Sequence, residues 1–282
     1  MQRDTDSLSQ DTYDVVVVGG GIYGACIARD AATRGLSVAL LERNDFGAET
    51  SHNSLRLIHG GLRYLQHFDI PRIRQSVREQ NYWLWAAPHL IRPLKFMMPT
   101  FGLGTRGPAA LWCATRLYGL LAFDRNKNLE EASQMANGGL VSLDALLETI
   151  PGLDRSEMNA GAYWYDGQLL DADRLTMDIL RDASNKGAAI ANYAEVKSLI
   201  QDNDKIIGVN CYDALTQSEF EVRGRLTVCA AGPWTSRITD PVCKPSTDEP
   251  TPLSKGLNLV VKSLGPDVAF GVRSARSSDA VV

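Results

Sequence analysis

Apolar and glycine-rich stretches alternate sharply at the start of the chain. Residues 14–18, with the sequence DVVVV, form the β-branched run that is typical of a strand buried on both faces of a parallel sheet. Small and apolar residues then recur at helical spacing over residues 22–34, and Gly35 is a typical helix stop. A second apolar run follows at residues 37–42. The pattern predicts a strand, a helix and a second, parallel strand.

The second half of the chain repeats both patterns. Residues 171–186 predict an amphipathic helix whose Leu175, Ile179 and Leu180 face inward, with Gly187 as its stop. The apolar or alternating runs that follow predict strands at 189–199, 206–212, 220–228 and 226–232. The middle two are spaced as in an antiparallel meander. The last is expected to lie parallel to the first strand of the chain.

Residues 72–125 are rich in Trp, Pro and Met and are predicted to be mostly helical between proline breaks. Their stretch 109–123 is strongly apolar, but it is shorter than the roughly 20 residues of a membrane span, and Arg116 lies in its middle. A core or surface helix is therefore favoured, and contact with lipid is the less favoured alternative. His89 is interpreted as a structural histidine.

Composition and charge limit the class of protein. The chain has 282 residues, 44% hydrophobic and 22% charged, which is typical of a soluble globular protein. A net charge of −4 with scattered Lys and Arg argues against nucleic-acid binding. The 5 cysteines lack a CxxC pair, so neither a disulfide framework nor a metal site is predicted. Residues 1–12 are interpreted as a polar tail without a signal-peptide core, which indicates a reducing, cytoplasmic location.

The glycines that end the first strand have the spacing of a dinucleotide-binding turn. In this interpretation Gly19 permits the tight turn, Gly21 lets main chain approach a diphosphate, and Gly24 lets the helix pack closely on the sheet. Glu42 ends the second strand, where its carboxylate can accept hydrogen bonds from both ribose hydroxyls. The pattern predicts a dinucleotide site and leaves NAD and FAD open.

The residues after Glu42 narrow the choice. The chain resembles the FAD-dependent glycerol-3-phosphate dehydrogenases, within the wider family of D-amino-acid-oxidase-like flavoproteins. The resemblance is carried by the glycine-rich segment 14–43, by Thr50-Ser51-x-x-Ser54, by RLIHGGLRYL at 56–65, by APHL at 87–90, and by AAGPW at 230–234 with Lys255-Gly256 beyond. The decapeptide is the most specific of these motifs. The resemblance implies FAD as the cofactor.

We expect cofactor contacts from the glycine turn and from residues that follow the strands. The hydroxyls of Thr50, Ser51 and Ser54 can donate near the diphosphate without adding charge, although an ordinary polar loop is the alternative. In this fold class the strand that holds Val196 usually binds the adenine through main-chain groups. The full predicted set is Gly19, Gly21, Ile22, Gly24, Glu42, Arg43, Thr50, Ser51, Ser54, Leu57, Val196, Ala231, Gly232 and Trp234.

Four residues are predicted on the substrate side. The resemblance places Arg63 and Tyr64 near the substrate, where a guanidinium matches phosphate or carboxylate oxygens; a surface salt bridge is the alternative for Arg63. Asn258 stands where the family is expected to have a histidine, and Asn cannot act as a general base. His59 is the only nearby candidate for the base, and its Gly60-Gly61 neighbours suit a chain passing against a flat flavin ring.

The resemblance implies an α/β fold: a doubly wound, Rossmann-like FAD-binding sheet with a second, partial antiparallel substrate domain. Residues 13–100 and 166–240 are expected to form the two parts of the FAD-binding domain. Residues 101–165 are expected to be a mostly helical insertion that begins the substrate domain, and 241–282 to be an incomplete remainder. Family members run considerably longer, so the chain is expected to be truncated, with residues 226–230 at an exposed sheet edge.

The activity implied is hydride transfer from C2 of glycerol 3-phosphate, a polyol phosphate, to flavin N5, giving dihydroxyacetone phosphate. The resemblance also suggests a quinone acceptor, a peripheral position on the inner membrane face, and a homodimer. Two alternatives stay open at this point. One is another oxidase of the wider family, acting on an amino or hydroxy acid, and the other is a noncatalytic FAD-binding fragment.

Overall fold

The computed structural model describes residues 1–242, 253–254, 256–260, 262 and 267–271. The chain divides into two compact units. Unit 1 comprises residues 1–55 and 171–258, and unit 2 comprises residues 56–170 and 259–282.

The elements of the described residues follow one another in a mixed α/β order. The strands are β1 (Thr12–Val18), β2 (Val38–Leu41), β3 (Leu57–Ile58), β4 (Ile91–Phe101), β5 (Gly139–Ser142), β6 (Met158–Leu169), β7 (Ala189–Ala191), β8 (Ala194–Asp202), β9 (Lys205–Asp213), β10 (Ser218–Cys229) and β11 (Ala269–Phe270). The α-helices are α1 (Thr5–Leu8), α2 (Ile22–Thr33), α3 (Ile70–Ala86), α4 (Pro108–Leu121), α5 (Leu143–Thr149), α6 (Ala172–Asn185) and α7 (Thr235–Thr239). Short 3-10 helices lie at Leu62–His67, Glu131–Ser133 and Gly232–Trp234.

Unit 1 is built on a six-stranded sheet with the order β7-β2-β1-β10-β9-β8. The first four strands pair in parallel, and β10, β9 and β8 pair antiparallel. All four residues of β2 are buried, as the apolar run predicted. The doubly wound sheet expected from the sequence is therefore confirmed.

Helices α2 and α6 belong to unit 1 and bury the faces that their patterns predict. The buried residues of α2 are Gly24 and four alanines, and those of α6 include Leu175, Ile179 and Leu180. Asp171 caps α6 by accepting a hydrogen bond from the main-chain N–H of Arg174. Small side chains on α2 bring its axis close to the sheet, which sets the position of its N-terminus.

The polar tail predicted over residues 1–12 is docked in part on unit 1. Residues Thr5–Leu8 form α1, and the Leu8 side chain is only 1% exposed in the core of unit 1. The Arg3 guanidinium forms an ion pair of 2.7 Å with Asp213, and Thr5 donates a hydrogen bond to the same carboxylate. A polar segment can dock in this way because one buried leucine and one partly buried ion pair anchor it, and composition does not reveal this combination.

Two predicted strand boundaries are wrong. The run at 189–199 is two strands, because Tyr193 adopts a positive φ of 52° and turns the chain from β2 toward β9. The runs at 220–228 and 226–232 are one strand, β10, whose first half pairs with β9 and whose second half pairs with β1. Residues 224–229 have no second partner strand among the described residues, and Leu226 is exposed, as expected for an edge.

Unit 2 is built on a mostly antiparallel sheet with the order β11-β4-β6-β3, to which β5 is added by pairing with β6. The long strands β4 and β6 pair over nearly their full length. The predominantly helical character predicted for residues 72–125 is therefore incomplete, since β4 lies between α3 and α4. Pro93 and Pro99, which signalled breaks, are accommodated within β4.

The units also differ from the predicted domain boundaries. Residues 56–100 group with unit 2, because β3 and β4 both pair with β6. Unit 1 resumes at residue 171. Most of the predicted segment 241–282 lies outside the described residues.

Helix α4 occupies the apolar stretch that raised the question of a membrane span. It buries Thr115 and Tyr118, while Trp112, Leu117 and Leu120 are exposed. None of the helices in the described part of the chain is both long and apolar enough to cross a bilayer. The favoured prediction of an ordinary helix is confirmed, and it lies at the surface of unit 2.

Candidate dinucleotide site and substrate-side turn

The carboxyl ends of three parallel strands meet at one edge of the unit 1 sheet. Val18 is in register with Leu41 of β2 and with Cys229 of β10. The segments that follow these strands carry Gly19, Glu42 and Ala230, so the topology brings three predicted cofactor segments together. Open α/β sheets bind ligands at this edge, beyond the ends of parallel strands.

Two glycines of the first turn are required by protein packing. Gly19 has a φ of +108°, and a Cβ on it would lie 2.6 Å from the carbonyl oxygen of Ala230. A Cβ on Gly24 would meet the carbonyl oxygen of Gly19 closer than any real contact. The tight turn and the close helix packing predicted for these glycines are both observed. Gly20 is also required, because a Cβ there would lie 2.7 Å from the Phe46 ring, and sequence analysis missed this constraint.

Gly21 differs from its neighbours because protein barely fills the space beside it. A Cβ there would meet only the Ser51 hydroxyl, at 3.2 Å. Gly21 is the N-cap of α2 and provides no side-chain cap, and the N–H of Ile22 donates to Ser51 Oγ at 2.9 Å. The next N–H groups of the helix have no intrahelical acceptor, and the helix dipole adds positive potential. This arrangement suits an anion, and Ser51 borders the place that the anion would take.

Glu42 is held at this edge by main-chain donors. Its Oε2 accepts a hydrogen bond from Gly20 N–H at 2.7 Å, and its Oε1 accepts one from Asn44 N–H at 2.8 Å. Each carboxylate oxygen retains a second lone pair for a further donor. The carboxylate is therefore fixed in place beside the glycine turn and can still accept hydroxyl groups.

Arg43 and Trp234 form a contact between the ends of β2 and β10. The Arg43 guanidinium carbon lies 4.4 Å from the centre of the Trp234 ring, and Arg43 Nη2 lies 3.1 Å from Glu49 Oε1. Trp234 follows Ala231 and Gly232 in a short 3-10 helix, and Gly232 has a positive φ of 56°. The Arg43 guanidinium thus packs against the segment that follows β10.

The loop after β2 is attached to the start of α6. His52 Nδ1 lies 2.9 Å from a carboxylate oxygen of Asp173, in the first turn of α6. Thr50 and Ser54 are exposed in this loop. The His52–Asp173 contact was missed because its partners are 121 residues apart.

The remaining predicted residues of unit 1 have separate surroundings. Val196 lies on β8 opposite Cys211, and its side chain is buried in the core. Asn258 Nδ2 donates to the carbonyl oxygen of Asn53 at 3.3 Å. Lys255 of the resemblance lies outside the described residues. In the described ranges up to residue 271, no group of three or more His, Cys, Asp or Glu could hold a metal ion.

The other predicted residues belong to unit 2. Leu57 lies on β3 opposite Gln168. His59, Gly60 and Gly61, here called the HGG turn, follow β3 and lead into the 3-10 helix that carries Arg63 and Tyr64. The chain thus places these residues within six consecutive positions, with His59 and Arg63 exposed.

The HGG turn lies on a buried polar network that sequence analysis missed. Asp166 of β6 is 7% exposed, and its Oδ1 accepts a hydrogen bond of 2.7 Å from Gly60 N–H. Gln80 and the Trp164 indole also donate to this carboxylate, at 3.1 and 2.9 Å. Burial raises the pKa of Asp166, although the hydrogen bonds from Gly60, Trp164 and Gln80 and the charge of His59 oppose this rise. No local signal in the sequence distinguishes Asp166 for this role.

Comparison with known families assigns the chain. Residues 14–279 match the family described as FAD dependent oxidoreductase (DAO). The chain belongs to this family. The family description names FAD, and the open N-terminus at Gly21 together with the fixed carboxylate of Glu42 fits the diphosphate and the ribose of such a dinucleotide.

Relatives within the FAD dependent oxidoreductase family include a glycerol-3-phosphate dehydrogenase of Synechocystis, 34% identical over 84% of this chain. The match covers 42% of that relative's own length. A solved glycerol-3-phosphate dehydrogenase from Bacillus halodurans, complexed with FAD, is similar with a TM-score of 0.56 at 28% identity, over 81% of this chain and 36% of its own. An L-proline dehydrogenase from P. horikoshii shares the fold, with a TM-score of 0.59 at 21% identity, over 85% of this chain and 58% of its own.

Proposed function

We propose that unit 1 binds FAD at the edge formed by the glycine turn and Glu42. The open N-terminus of α2 at Gly21 is the observation that carries this proposal. The N–H groups there would hold the diphosphate, Ser51 would donate its hydroxyl proton to it, and Glu42 would accept the ribose hydroxyls. The other contributors proposed from unit 1 are Gly19, Ile22, Gly24, Arg43, Thr50, Ser54, Val196, Ala231, Gly232 and Trp234. Leu57, which the sequence also predicted as a cofactor contact, belongs to unit 2, and its role stays a prediction.

We infer that the complete protein is a glycerol-3-phosphate dehydrogenase. The Synechocystis relative and the motif RLIHGGLRYL support this substrate class. FAD, when bound, supplies an acceptor for the hydride that leaves C2 of the substrate. Arg63 would hold the phosphate through its guanidinium fork, Tyr64 and Asn258 would hydrogen-bond substrate oxygens, and His59 would take the proton of the C2 hydroxyl. The product is dihydroxyacetone phosphate.

Flavin absorbance tests the proposal directly. The purified chain is loaded with FAD, freed of excess by gel filtration, and mixed without oxygen with glycerol 3-phosphate, or with an amino or hydroxy acid. We expect bound flavin that is bleached by glycerol 3-phosphate. Bleaching by an amino or hydroxy acid alone would favour another oxidase. Bound flavin that none of these compounds reduces would identify a noncatalytic FAD-binding piece.

The role of Arg63 has a matched test in the same unit. Arg63→Met removes an exposed guanidinium that is proposed to bind phosphate, whereas Arg155→Met removes one that pairs with Asp144 at the surface. We expect the first to weaken substrate binding at least about tenfold, as loss of a charge-assisted hydrogen bond does. The second should leave binding unchanged, since exposed ion pairs contribute little. Equal binding by both variants would remove Arg63 from the site.

The proposed function includes an electron acceptor and a cellular location. We propose a cytoplasmic protein that lies peripherally on the inner membrane face, passes electrons to a quinone and forms a homodimer. The exposed apolar side chains of Trp112 and Leu120 on α4 and of Phe123 after it, with the exposed Arg116 guanidinium over the Trp112 ring, support surface contact with lipid. Sedimentation with phospholipid vesicles should be lost in Leu120→Ser/Phe123→Ser, and sedimentation equal to that of the parent would contradict it.

A further inference from the structure

We propose that Asp166 is a positioning residue, which fixes the HGG turn through the main chain of Gly60 and thereby orients His59, Arg63 and Tyr64. The inference rests on the proposed function for the task of those three side chains. The claim that Asp166 fixes the HGG turn is argued only from contacts within unit 2.

The Asp166 carboxylate receives three N–H donors in a buried setting. Gly60 N–H and Gln80 Nε2 meet Oδ1, and Trp164 Nε1 meets Oδ2. A carboxylate that accepts several N–H groups makes stronger hydrogen bonds than a neutral acceptor. Of the three donors, Gly60 alone belongs to the turn, so this hydrogen bond joins the turn directly to β6.

Gln80 ties the start of the same turn to the same carboxylate. Its side chain is 1% exposed, and Nε2 also donates to the carbonyl oxygen of Ile58 at 2.7 Å. Ile58 is the last residue of β3. The main chain is therefore fixed at two points, one on each side of His59: Ile58 through Gln80, and Gly60 through Asp166.

Protein side chains fill the space beside the Gly60 Cα. The Tyr118 hydroxyl lies so close under Gly60 that an added Cβ would overlap it, and Gln80 Oε1 would be 2.9 Å from that Cβ. Tyr118 is 4% exposed. If Asp166 is removed, the buried Gly60 N–H loses its carboxylate acceptor, and the turn loses this direct link to β6.

The turn transmits its position to the side chains that follow. Gly61 adopts a φ of +84°, and its carbonyl oxygen accepts the N–H of Tyr64 at 3.0 Å. The His59 and Tyr64 rings meet edge to face, with centroids 6.0 Å apart. A shift of Gly60 would therefore displace both rings, together with the adjoining Arg63.

Amide hydrogen exchange tests the contact without reference to activity. In the unmodified chain we expect the Gly60 amide to exchange slowly, and fast exchange there would overturn the proposal before any variant is made. Asp166→Ala should accelerate exchange at Gly60 at least about tenfold, while β1 and α6 keep their parent rates. Trp164→Phe is the matched control. It removes another donor from the same carboxylate and should leave Gly60 unchanged.

Kinetics then separates positioning from general stability. In FAD-loaded Asp166→Ala we expect the limiting rate of flavin reduction by glycerol 3-phosphate to fall at least about tenfold per bound flavin, with flavin content within twofold of the parent. A variant that is less stable but reduces its flavin at the parent rate would overturn positioning, as would uniform acceleration of exchange across unit 2. If the parent itself is not reduced, the proposed function fails, whereas the exchange result still decides whether Asp166 holds the turn.

Discussion

The glycine turn after β1 and the glycine turn after β3 lack side chains for opposite reasons. At the first, Gly21 has open space beside its Cα, with only the Ser51 hydroxyl nearby. At the second, Gly60 is bare because the Tyr118 hydroxyl and the Gln80 amide already occupy the space. Both turns look alike in sequence, yet the first leaves main-chain donors available and the second uses its donor on Asp166.

This difference distinguishes a binding turn, at Gly21, from a supported turn, at Gly60. A helix N-terminus with unused N–H groups attracts an anion, and filling it with protein would remove the site. A turn that presents side chains to a substrate must instead be held rigidly from below, because positioning depends on fixed geometry. Substitution of glycine should therefore affect ligand binding at Gly21 and folding at Gly60.

The largest effect is expected from Gly24→Ala, compared with Gly21→Ala in the same turn. A Cβ on Gly24 would overlap the main-chain oxygen of Gly19, which cannot move away without opening the turn. We expect a loss of about 3 kcal/mol in the free energy of unfolding, the upper part of the range for overpacking. Urea unfolding measures it.

Gly21→Ala is the matched control for that change. Gly21 has an ordinary φ of −74° and a single near neighbour, so the variant should fold nearly as well as the parent but retain less FAD. Equal destabilisation of the two variants would mean that the turn is packed throughout, and would end the distinction between a binding and a supported turn.

The next effect concerns Gly60 and its hydroxyl neighbour. Gly60→Ala should destabilise the chain by about 2 kcal/mol because the new methyl group overlaps the Tyr118 hydroxyl. Tyr118→Phe removes that oxygen, so the double variant should recover most of the loss. A double-mutant cycle on unfolding free energies measures the coupling. Additive effects would show that Tyr118 does not fill the space beside Gly60.

Sequence reasoning succeeded where the signal was local. The run at β1, the helix α2 and the stop at Gly35 each carry their information within a few residues, and all three are in the structure. The strand β4 was missed because its prolines were interpreted as breaks between helices. In the structure, β4 pairs with β6 over nearly its full length. Pairing with a distant strand overrode the local preference.

In the candidate site, too, residues with a local sequence signal were predicted and residues defined by distant contacts were missed. The glycines of the first turn were found because steric need and spacing coincide there. Asp166 and Gln80 were missed because the contacts that define them join residues 106 and 86 positions apart. The docking of Arg3 on Asp213 spans the chain in the same way, so charge patterning near either residue could not predict it.

Asp213 allows unit 1 to be destabilised without touching its glycine turn. Burial alone would raise the pKa of Asp213, but hydrogen bonds from Arg3, Leu215, Thr216 and Thr5 outweigh it and hold the pKa well below its usual range. Because the folded-state pKa is lowered, the stabilisation is present above about pH 4, near the unfolded pKa, and is lost as the pH falls further.

Asp213→Asn should therefore cost about 1.5 kcal/mol at neutral pH, and the difference from the parent should shrink in acid. Urea unfolding of both proteins at neutral and acidic pH checks this expectation. The flavin content of the folded Asp213→Asn variant should stay at the parent value. Gly21→Ala, in contrast, is expected to retain less flavin. A difference in stability that is the same at both pH values would show that the charge of Asp213 does not contribute.

The smallest effect is expected from Glu42→Gln. Both carboxylate oxygens accept main-chain hydrogen bonds, from Gly20 and Asn44, and an amide can accept only one of them well. We expect a loss of about 1 kcal/mol in stability and a larger fractional loss of bound FAD, because the proposed ribose acceptor loses its charge. Glu49→Gln is the control, since it changes a half-exposed ion pair with Arg43 and a longer hydrogen bond from the Asn44 side chain, and leaves both hydrogen bonds of Glu42 in place. If the two variants retain FAD equally, Glu42 supports the turn but does not bind the ribose, and the binding turn then depends on its N–H groups alone.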